Sequence, residues 1–150
     1  MFCKLLSYIE IQNIRYPNKV IYSYECEESL KQISVPKLII QPLVENAFEH
    51  AYNNKGIYKL DIIVEEDERE IDIIVTDNGR GMSEEEINYL NESLQNTDVY
   101  QENKSIGLLN VNQRIRGIYG IKILSRKDSG TRIIINILKG ECNVKTINSR

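Results

Sequence analysis

A short polar segment, DNGRG at residues 77–81, carries side chains suited to binding a small ligand. It follows an apolar, strand-like stretch over 71–76 and precedes a predicted helix. Two glycines around one residue let the backbone turn sharply and approach a ligand closely. The Asp77 carboxylate can stay ionised and accept from an exocyclic amine, a charge-assisted hydrogen bond worth roughly 1.5–3 kcal/mol. Taken alone, the D-x-G-x-G pattern fits an ordinary turn equally well.

Asn46 is a second candidate, because it is polar on a segment otherwise rich in core residues. It lies four residues before His50, so in a helix the two share a face. An amide oxygen facing a pocket suits Mg²⁺, which keeps several of its waters and takes few protein ligands. A buried structural amide or a cap fits Asn46 equally well. His50 is the single histidine and cannot by itself form a zinc site.

Two glycines further along the chain mark other candidate contacts. Gly107, in SIGLLNVNQRI, stands where a polar segment becomes a predicted helix, and amides at a helix start bind phosphate readily. Alone, an ordinary helix start is the better interpretation. Gly130-Thr131 precedes the last predicted strand and alone fits a hairpin turn. The sequence contains neither a G-x-x-x-x-G-K-[ST] loop nor a Rossmann fingerprint.

Length and composition limit the classes of protein to consider. A chain of 150 residues predicts one domain with a real core. The formal net charge of −3 is small, so we do not expect nucleic acid or an anionic membrane as the main partner. No apolar run is long enough to span a bilayer, and we expect no signal peptide. The scattered Cys3, Cys26 and Cys142 indicate free thiols of a reducing compartment.

Sequence periodicity predicts the elements that must position these residues. Apolar residues at helical spacing predict helices over 1–15 and 36–52, and Ser83 is expected to cap a third. A polar, mobile loop is predicted over 91–104, then a helix from Gly107 to about 119–120. Alternation predicts strands over 20–26, 59–66, 71–76, 121–125 and 131–138, the last two joined by a turn at 127–130. Grouped strands broken by three or four helices favour a layered α+β sandwich over a doubly wound sheet.

The order of these segments resembles the GHKL superfamily of ATP-binding domains. VPKLIIQPLVENAFEHA, VTDNGRGM and IGLLNVNQRIRGIYG are most similar to LytS/YesM-type sensor histidine kinases, and YIEIQNIRY looks like the segment before the catalytic domain there. The resemblance covers about residues 7–138. It implies the Bergerat fold, a two-layer α/β sandwich with a mixed sheet of about five strands packed against three helices. It also implies the end of a preceding helical segment over 1–17, the ATP-binding catalytic domain over 18–138 and a polar, fraying tail over 139–150.

The resemblance further implies roles for individual residues. Asn46 would hold Mg²⁺ that bridges the phosphates, and His50 would be a catalytic contact on the phosphate side rather than the phosphoryl acceptor. Asp77 would contact adenine. The remaining ATP contacts implied at the two ends of the pocket are Gly79, Gly81, Met82 and Thr131 at the adenine end, and Ser105, Gly107 and Leu108 at the phosphates. Residues 91–105 would be the ATP lid.

Several positions depart from the family's pattern. Glu49 stands where relatives often carry lysine, and Ser105 takes the first position of a G-x-G box. Hydrolysing relatives place a glutamate base four residues before the asparagine, but here that position is Pro42. We therefore expect slow hydrolysis and a kinase that transfers the ATP γ-phosphoryl group to a histidine. The alternatives are a degenerate nucleotide-binding module without phosphotransfer, or a GHKL ATPase or serine-kinase anti-sigma relative.

The resemblance also implies partners outside the 150 residues. Nothing before Ser7 resembles the family's H-F-L-F-N acceptor segment, so we expect the acceptor on a helical dimerisation domain absent from this chain. A response regulator, a homodimeric parent and a cytoplasmic position beneath a membrane-anchored parent are implied in the same way. Contact of this fragment with nucleic acid or membrane is not expected.

Overall fold

A five-stranded mixed sheet forms the body of the molecule in a computed structural model, which describes residues 10–11, 14, 20–34, 40–48, 56–95, 119–139 and 143–144. Its strands are β1 (Val20–Cys26), β3 (Tyr58–Glu66), β4 (Glu70–Asp77), β5 (Tyr119–Ser125) and β6 (Thr131–Leu138). Their order across the sheet is β1-β3-β4-β6-β5. β1 pairs with β3 in parallel and the other neighbours are antiparallel. The predicted five-stranded mixed sheet is confirmed.

The described helices are α1 (Ile40–Asn46), α2 (Glu84–Gln95) and a 3₁₀ helix over Glu28–Gln32. Glu10, Ile11 and Ile14 are also helical, in agreement with the first predicted helix. The predicted helix beginning at Gly107 lies outside the described residues. None of the described helices combines the length and the apolar character needed to cross a membrane.

Alternation along the strands gives the sheet one core face and one open face. β3 buries Tyr58, Leu60, Ile62 and Val64 and exposes more of the residues between them. The core cluster unites this face with Leu43, Val44, Ala47 and Phe48 of the α1 segment and with Leu90 of α2. These helices therefore cover the core face, as expected for the two-layer α+β sandwich. Asp77 and Thr131 lie at core-face positions of β4 and β6.

Two helix boundaries differ from the sequence predictions. α2 continues to Gln95, so the loop predicted from residue 91 is wrong over 91–95. Asn91 and Glu92 are exposed, while Leu90 is buried. The polar residues Asn91 and Glu92 thus lie on the solvent face of an amphipathic helix. Tyr119 and Gly120 belong to β5, not to a helix end, because they pair with β6.

A second, two-stranded sheet was not predicted. β2 (Ile33–Ser34) pairs antiparallel with β7 (Asn143–Val144). The expectation that residues 139–150 fray is therefore wrong for 143–144, whose backbone is held by ladder pairing despite its polar surroundings.

The DNGRG loop (77–81) and the turn between β5 and β6 (126–130, here the terminal turn) fit together through two glycines. Gly130, with φ of 86°, lies against the carbonyl group of Asp77, so a Cβ there would overlap that oxygen and lie 2.9 Å from the Asn78 Cα. Gly81, with φ of 61°, lies in the same way against the carbonyl group of Arg126. The hairpin predicted to turn at 127–130 is confirmed, and its close approach to the loop requires glycine at both positions.

We expect Gly130→Ala to destabilise the chain by about 1–3 kcal/mol more than Gly56→Ala. Both glycines have positive φ, 86° and 143°, so both substitutions strain the backbone, but a Cβ on Gly56 meets nothing within 4 Å. The excess cost for Gly130 therefore measures the overlap with Asp77. Urea denaturation of the two variants gives the comparison, and equal losses of unfolding free energy would contradict the interlocked arrangement.

Candidate functional site

Asp77 is the last residue of β4 and its side chain is only 8% exposed. Its Oδ1 accepts from the backbone N–H of Gly79 at 2.8 Å. The carboxylate also accepts from the backbone N–H of Thr131, the cross-strand partner of Asp77 on β6. Two backbone amides therefore fix the orientation of a buried carboxylate at the edge of the core.

Burial raises the pKa of Asp77 to about 6, and the hydrogen bonds from Gly79 and Thr131 oppose that rise. The group is mostly ionised at neutral pH, but at a cost in desolvation. A ligand that donates hydrogen bonds to this carboxylate would offset the cost. An exocyclic amine is the simplest donor of that kind.

Ser125, the last residue of β5, joins the loop to the terminal turn. Its Oγ accepts from the Met82 N–H at 2.9 Å and lies 2.9 Å from the Gly130 carbonyl oxygen and 2.8 Å from the Thr131 Oγ1. The Asp128 N–H adds a bond to the carbonyl oxygen of Arg80 at 2.6 Å. The loop that follows Asp77 is thus held along its whole length by the β5–β6 hairpin.

The start of α2 fixes the far end of the same loop. The Ser83 N–H donates to Glu86 Oε2 at 2.9 Å, and the Glu86 N–H donates to Ser83 Oγ at 3.2 Å. This reciprocal pair is a capping box and confirms the predicted cap at Ser83. Arg80 pairs with the same glutamate at 3.1 Å. The DNGRG loop therefore has anchored residues at both ends.

Asn78 directs its side chain to the start of β3. Its Oδ1 accepts from the Lys59 N–H at 2.6 Å, and its Nδ2 donates to the Ile57 carbonyl oxygen at 3.1 Å. The residue between these two is Tyr58. Its hydroxyl donates to the Ala47 carbonyl oxygen at 2.9 Å, and its ring packs against Phe48 with centroids 5.8 Å apart.

Tyr58 therefore links two parts of the site. Burial and the nearby negative charge of Asp77 both raise the pKa of its hydroxyl, so it stays protonated and donates. The acceptor, Ala47, directly follows Asn46, the last residue of α1. Residues 47–48 form a π-helical turn, a feature frequent at functional sites. The backbone that carries Asn46 is thus tied to the strand beside Asp77.

The residues predicted for the adenine end come together in the structure: Asp77, Gly79, Gly81, Met82 and Thr131. The backbone of Asn46 lies at the end of α1, and Pro42 lies one turn earlier. The side chain of Asn46 is not among those that the structure describes. The other predicted phosphate-side positions, His50, Ser105, Gly107 and Leu108, lie outside the described residues.

Sequence reasoning missed three residues that hold the site: Ser125, Tyr58 and Asn78. A signal for Ser125 was available, because the predicted strands 121–125 and 131–138 place it opposite Thr131, as the register confirms. Tyr58 and Asn78 gave no such signal. Their partners are backbone atoms 11 to 21 residues away in the chain.

The sequence of the chain has a well-defined set of relatives. Residues 32–141 match the family described as histidine kinase-, DNA gyrase B-, and HSP90-like ATPase. The Sensor protein kinase HptS of Staphylococcus aureus strain USA300 is 30% identical over 141 residues, which are 91% of this chain and 27% of HptS. HptS of strain NCTC 8325 gives the same values. The chain thus spans about a quarter of the length of these relatives.

Solved structures of histidine kinases share the fold. The histidine kinase domain of the Erythrobacter litoralis EL346 blue-light activated histidine kinase superposes with a TM-score of 0.60 at 16% identity, over 86% of this chain and 59% of that one. The catalytic domain of histidine kinase ThkA, in a nucleotide-free form, gives 0.60 at 17% identity over 88% of each chain. Since the family match covers most of the sequence and the folds agree, the chain belongs to the family of histidine kinase-, DNA gyrase B- and HSP90-like ATPases.

Proposed function

We propose that the chain is the ATP-binding catalytic domain of a LytS/YesM-type sensor histidine kinase, which transfers the ATP γ-phosphoryl group to a histidine on a helical domain outside these 150 residues. The observation that best supports ATP binding is the buried carboxylate of Asp77 beside Thr131, which is held by backbone hydrogen bonds. An adenine amino group donating to Asp77 would offset the desolvation of that carboxylate. The glycines at 81 and 130 let the loop and the terminal turn touch, and this contact holds Asp77 and Thr131 side by side.

Asn46 is our candidate for holding Mg²⁺ at the phosphate end. The metal ion would neutralise charge on the phosphates, and an amide oxygen is a ligand it accepts. The position supports this role, because α1 ends at Asn46 and Tyr58 ties the next carbonyl group to the strand beside Asp77. His50, Ser105, Gly107 and Leu108 complete the proposed phosphate contacts on the strength of the family's motif order.

Pro42 favours transfer over hydrolysis. It lies one helical turn before Asn46 in α1, on the same face, where a base would have to activate water. Proline carries no such group. In transfer, the γ-phosphorus bond to the β–γ bridging oxygen breaks, a bond to the acceptor imidazole nitrogen forms, and ADP leaves. A neutral imidazole is already nucleophilic, so the domain needs chiefly to position the reactants.

The proposal extends to the parent protein. The likeness to a sensor protein kinase of which this chain covers 27% supports a longer parent with its own helical phosphoacceptor domain. A homodimeric parent, a response regulator as the next acceptor, and a membrane anchor with this domain in the cytoplasm follow from the LytS/YesM resemblance. Glu49 and Ser105 motivate the alternative, a nucleotide-binding module without transfer.

Mixing the chain with the helical domain of its parent and γ-labelled ATP should place the label on histidine. Such a label is lost in acid and retained in base. Transfer supports the kinase. Tight ATP binding without label on the helical domain would instead favour the degenerate module, and rapid release of inorganic phosphate by the chain alone would favour an ATPase.

Asn46→Ala should lower the affinity for ATP about tenfold or more in the presence of Mg²⁺ and much less in its absence. The reason is that the substitution removes a ligand to the ion and leaves the adenine contacts in place. Calorimetric titration with and without Mg²⁺ measures both values. The matched control is Asn136→Ala, which removes an amide bonded to Asp72 on the open face. Equal losses with and without Mg²⁺ would contradict the metal role.

Asp77→Asn should weaken ATP binding about tenfold or more at pH 7, because an amide accepts less strongly than a carboxylate. The folded-state pKa of about 6 lies above the usual 3.8. Between these two pH values the native chain holds a proton that the unfolded chain has lost, so the native state gains stability as the pH falls. Between pH 7 and pH 5 the wild type should therefore gain about 1 kcal/mol of unfolding free energy relative to Asp77→Asn.

Urea denaturation at the two pH values checks this shift. Asp128→Asn is the control, since it removes an exposed carboxyl group from the terminal turn at a positive φ that asparagine tolerates. It should keep the pH dependence of the wild type. If Asp77→Asn also keeps it, the carboxylate is not the buried group that titrates near pH 6.

A further inference from the structure

Ser125 has three neighbours for one hydroxyl group, and their chemistry fixes where each proton lies. A serine hydroxyl offers one proton and two lone pairs. The Met82 N–H can only donate, and the Gly130 carbonyl oxygen can only accept. Ser125 therefore gives its proton to Gly130 and one lone pair to Met82. Only its second lone pair remains for Thr131, 2.8 Å away.

It follows that Thr131 is the donor in the bond between the two hydroxyl groups. In the opposite arrangement, Ser125 would donate to Thr131 and leave the Gly130 carbonyl oxygen with the Arg126 N–H at 3.4 Å. That distance is longer than a good N–H···O bond. Gly130 is buried, so a poorly paired carbonyl group would be costly there.

The position of this proton determines whether Thr131 can donate or accept a hydrogen bond at the proposed adenine pocket. With its proton committed to Ser125, the Thr131 Oγ1 can only accept. Its cross-strand neighbour Asp77, when ionised, also only accepts. The pair thus presents an edge made of acceptors, which suits a base with an exocyclic amino group and opposes one with a carbonyl oxygen at the same position.

We propose that Ser125 is a positioning residue that sets base selectivity: by holding the proton of Thr131, it keeps the Asp77–Thr131 pair an acceptor-only edge that selects adenine over a 6-oxopurine. The inference rests on the proposed function, in which Asp77 contacts the base. It assigns to Ser125 no contact with the nucleotide.

The test compares the affinities of ATP and ITP, which carries a carbonyl oxygen in place of the amino group. Ser125→Ala frees the Thr131 proton to turn towards the base, so the ratio of ATP to ITP affinity should fall about tenfold, the worth of one hydrogen bond. Ser125→Thr keeps the hydroxyl group and should keep the wild-type ratio. Calorimetric titration of the full chain with each nucleotide gives the ratio.

A Thr131→Val variant distinguishes positioning of the Thr131 hydroxyl group from a general loosening of the DNGRG loop. Thr131→Val removes the hydroxyl group through which Ser125 is proposed to act. In that background Ser125→Ala should leave the ratio unchanged, whereas a general distortion of the Met82 and Gly130 backbone would still lower it. If Ser125→Ala does not fold, Ser125→Cys, which keeps the size but is a weak donor, should lower the ratio in its place.

An unchanged ratio in a folded Ser125→Ala chain, or an equal fall with valine at 131, would overturn the inference. So would a wild-type chain that binds ATP and ITP alike. These results leave the proposed function standing if Asp77→Asn weakens ATP binding as expected. A wild-type chain that binds neither nucleotide would remove the proposed function and this inference together.

Discussion

The contact between the DNGRG loop and the terminal turn sets the geometry of the proposed adenine end. Gly130 lies against the Asp77 carbonyl group and Gly81 against that of Arg126, so the two backbones touch without side chains between them. The contact brings the N–H of Thr131 onto the Asp77 carboxylate and Ser125 onto Met82. The DNGRG loop and the terminal turn, about fifty residues apart in the chain, thus form one connected surface.

The central strands of the sheet fix the position of the residues that make this contact. β4 pairs with both β3 and β6 along nearly its full length, and its core face is closed by residues with almost no solvent exposure. Asp77 is the last residue of this strand, so its backbone has little freedom before the loop begins. Through Asn78 and Tyr58 the same strand end also holds the carbonyl group beside Asn46. The elements proposed for the adenine side and for the phosphate side therefore share one support.

The parts of this arrangement that sequence could predict are those with a local pattern. Alternation located all five strands of the main sheet, and Ser83 marked the start of α2. Asp77, Gly79, Gly81 and Thr131 were predicted as site residues because the order of the motifs resembles a known family, since each signal alone fits an ordinary turn. The proximity of Asp77 to Thr131 depends on the order β4-β6, which local periodicity does not encode.

The failures have the same origin. The polar stretch after Leu90 was predicted as a loop because an exposed helix face and a loop have similar composition. β2 and β7 are two residues long and have no period to detect. Ser125 and Tyr58 act through distant backbone atoms, so their importance became visible only with the pairing of strands and the packing of α1 on the sheet.

The buried carboxylate of Asp77 has a consequence for the lifetime of the protein. A charge kept out of water until a ligand arrives makes the empty domain less stable than its packing alone would make it. A ligand at a hundred times its dissociation constant restores about 2.7 kcal/mol by mass action. Proteases act on transiently opened chains, so turnover of such a domain would rise whenever the nucleotide pool falls.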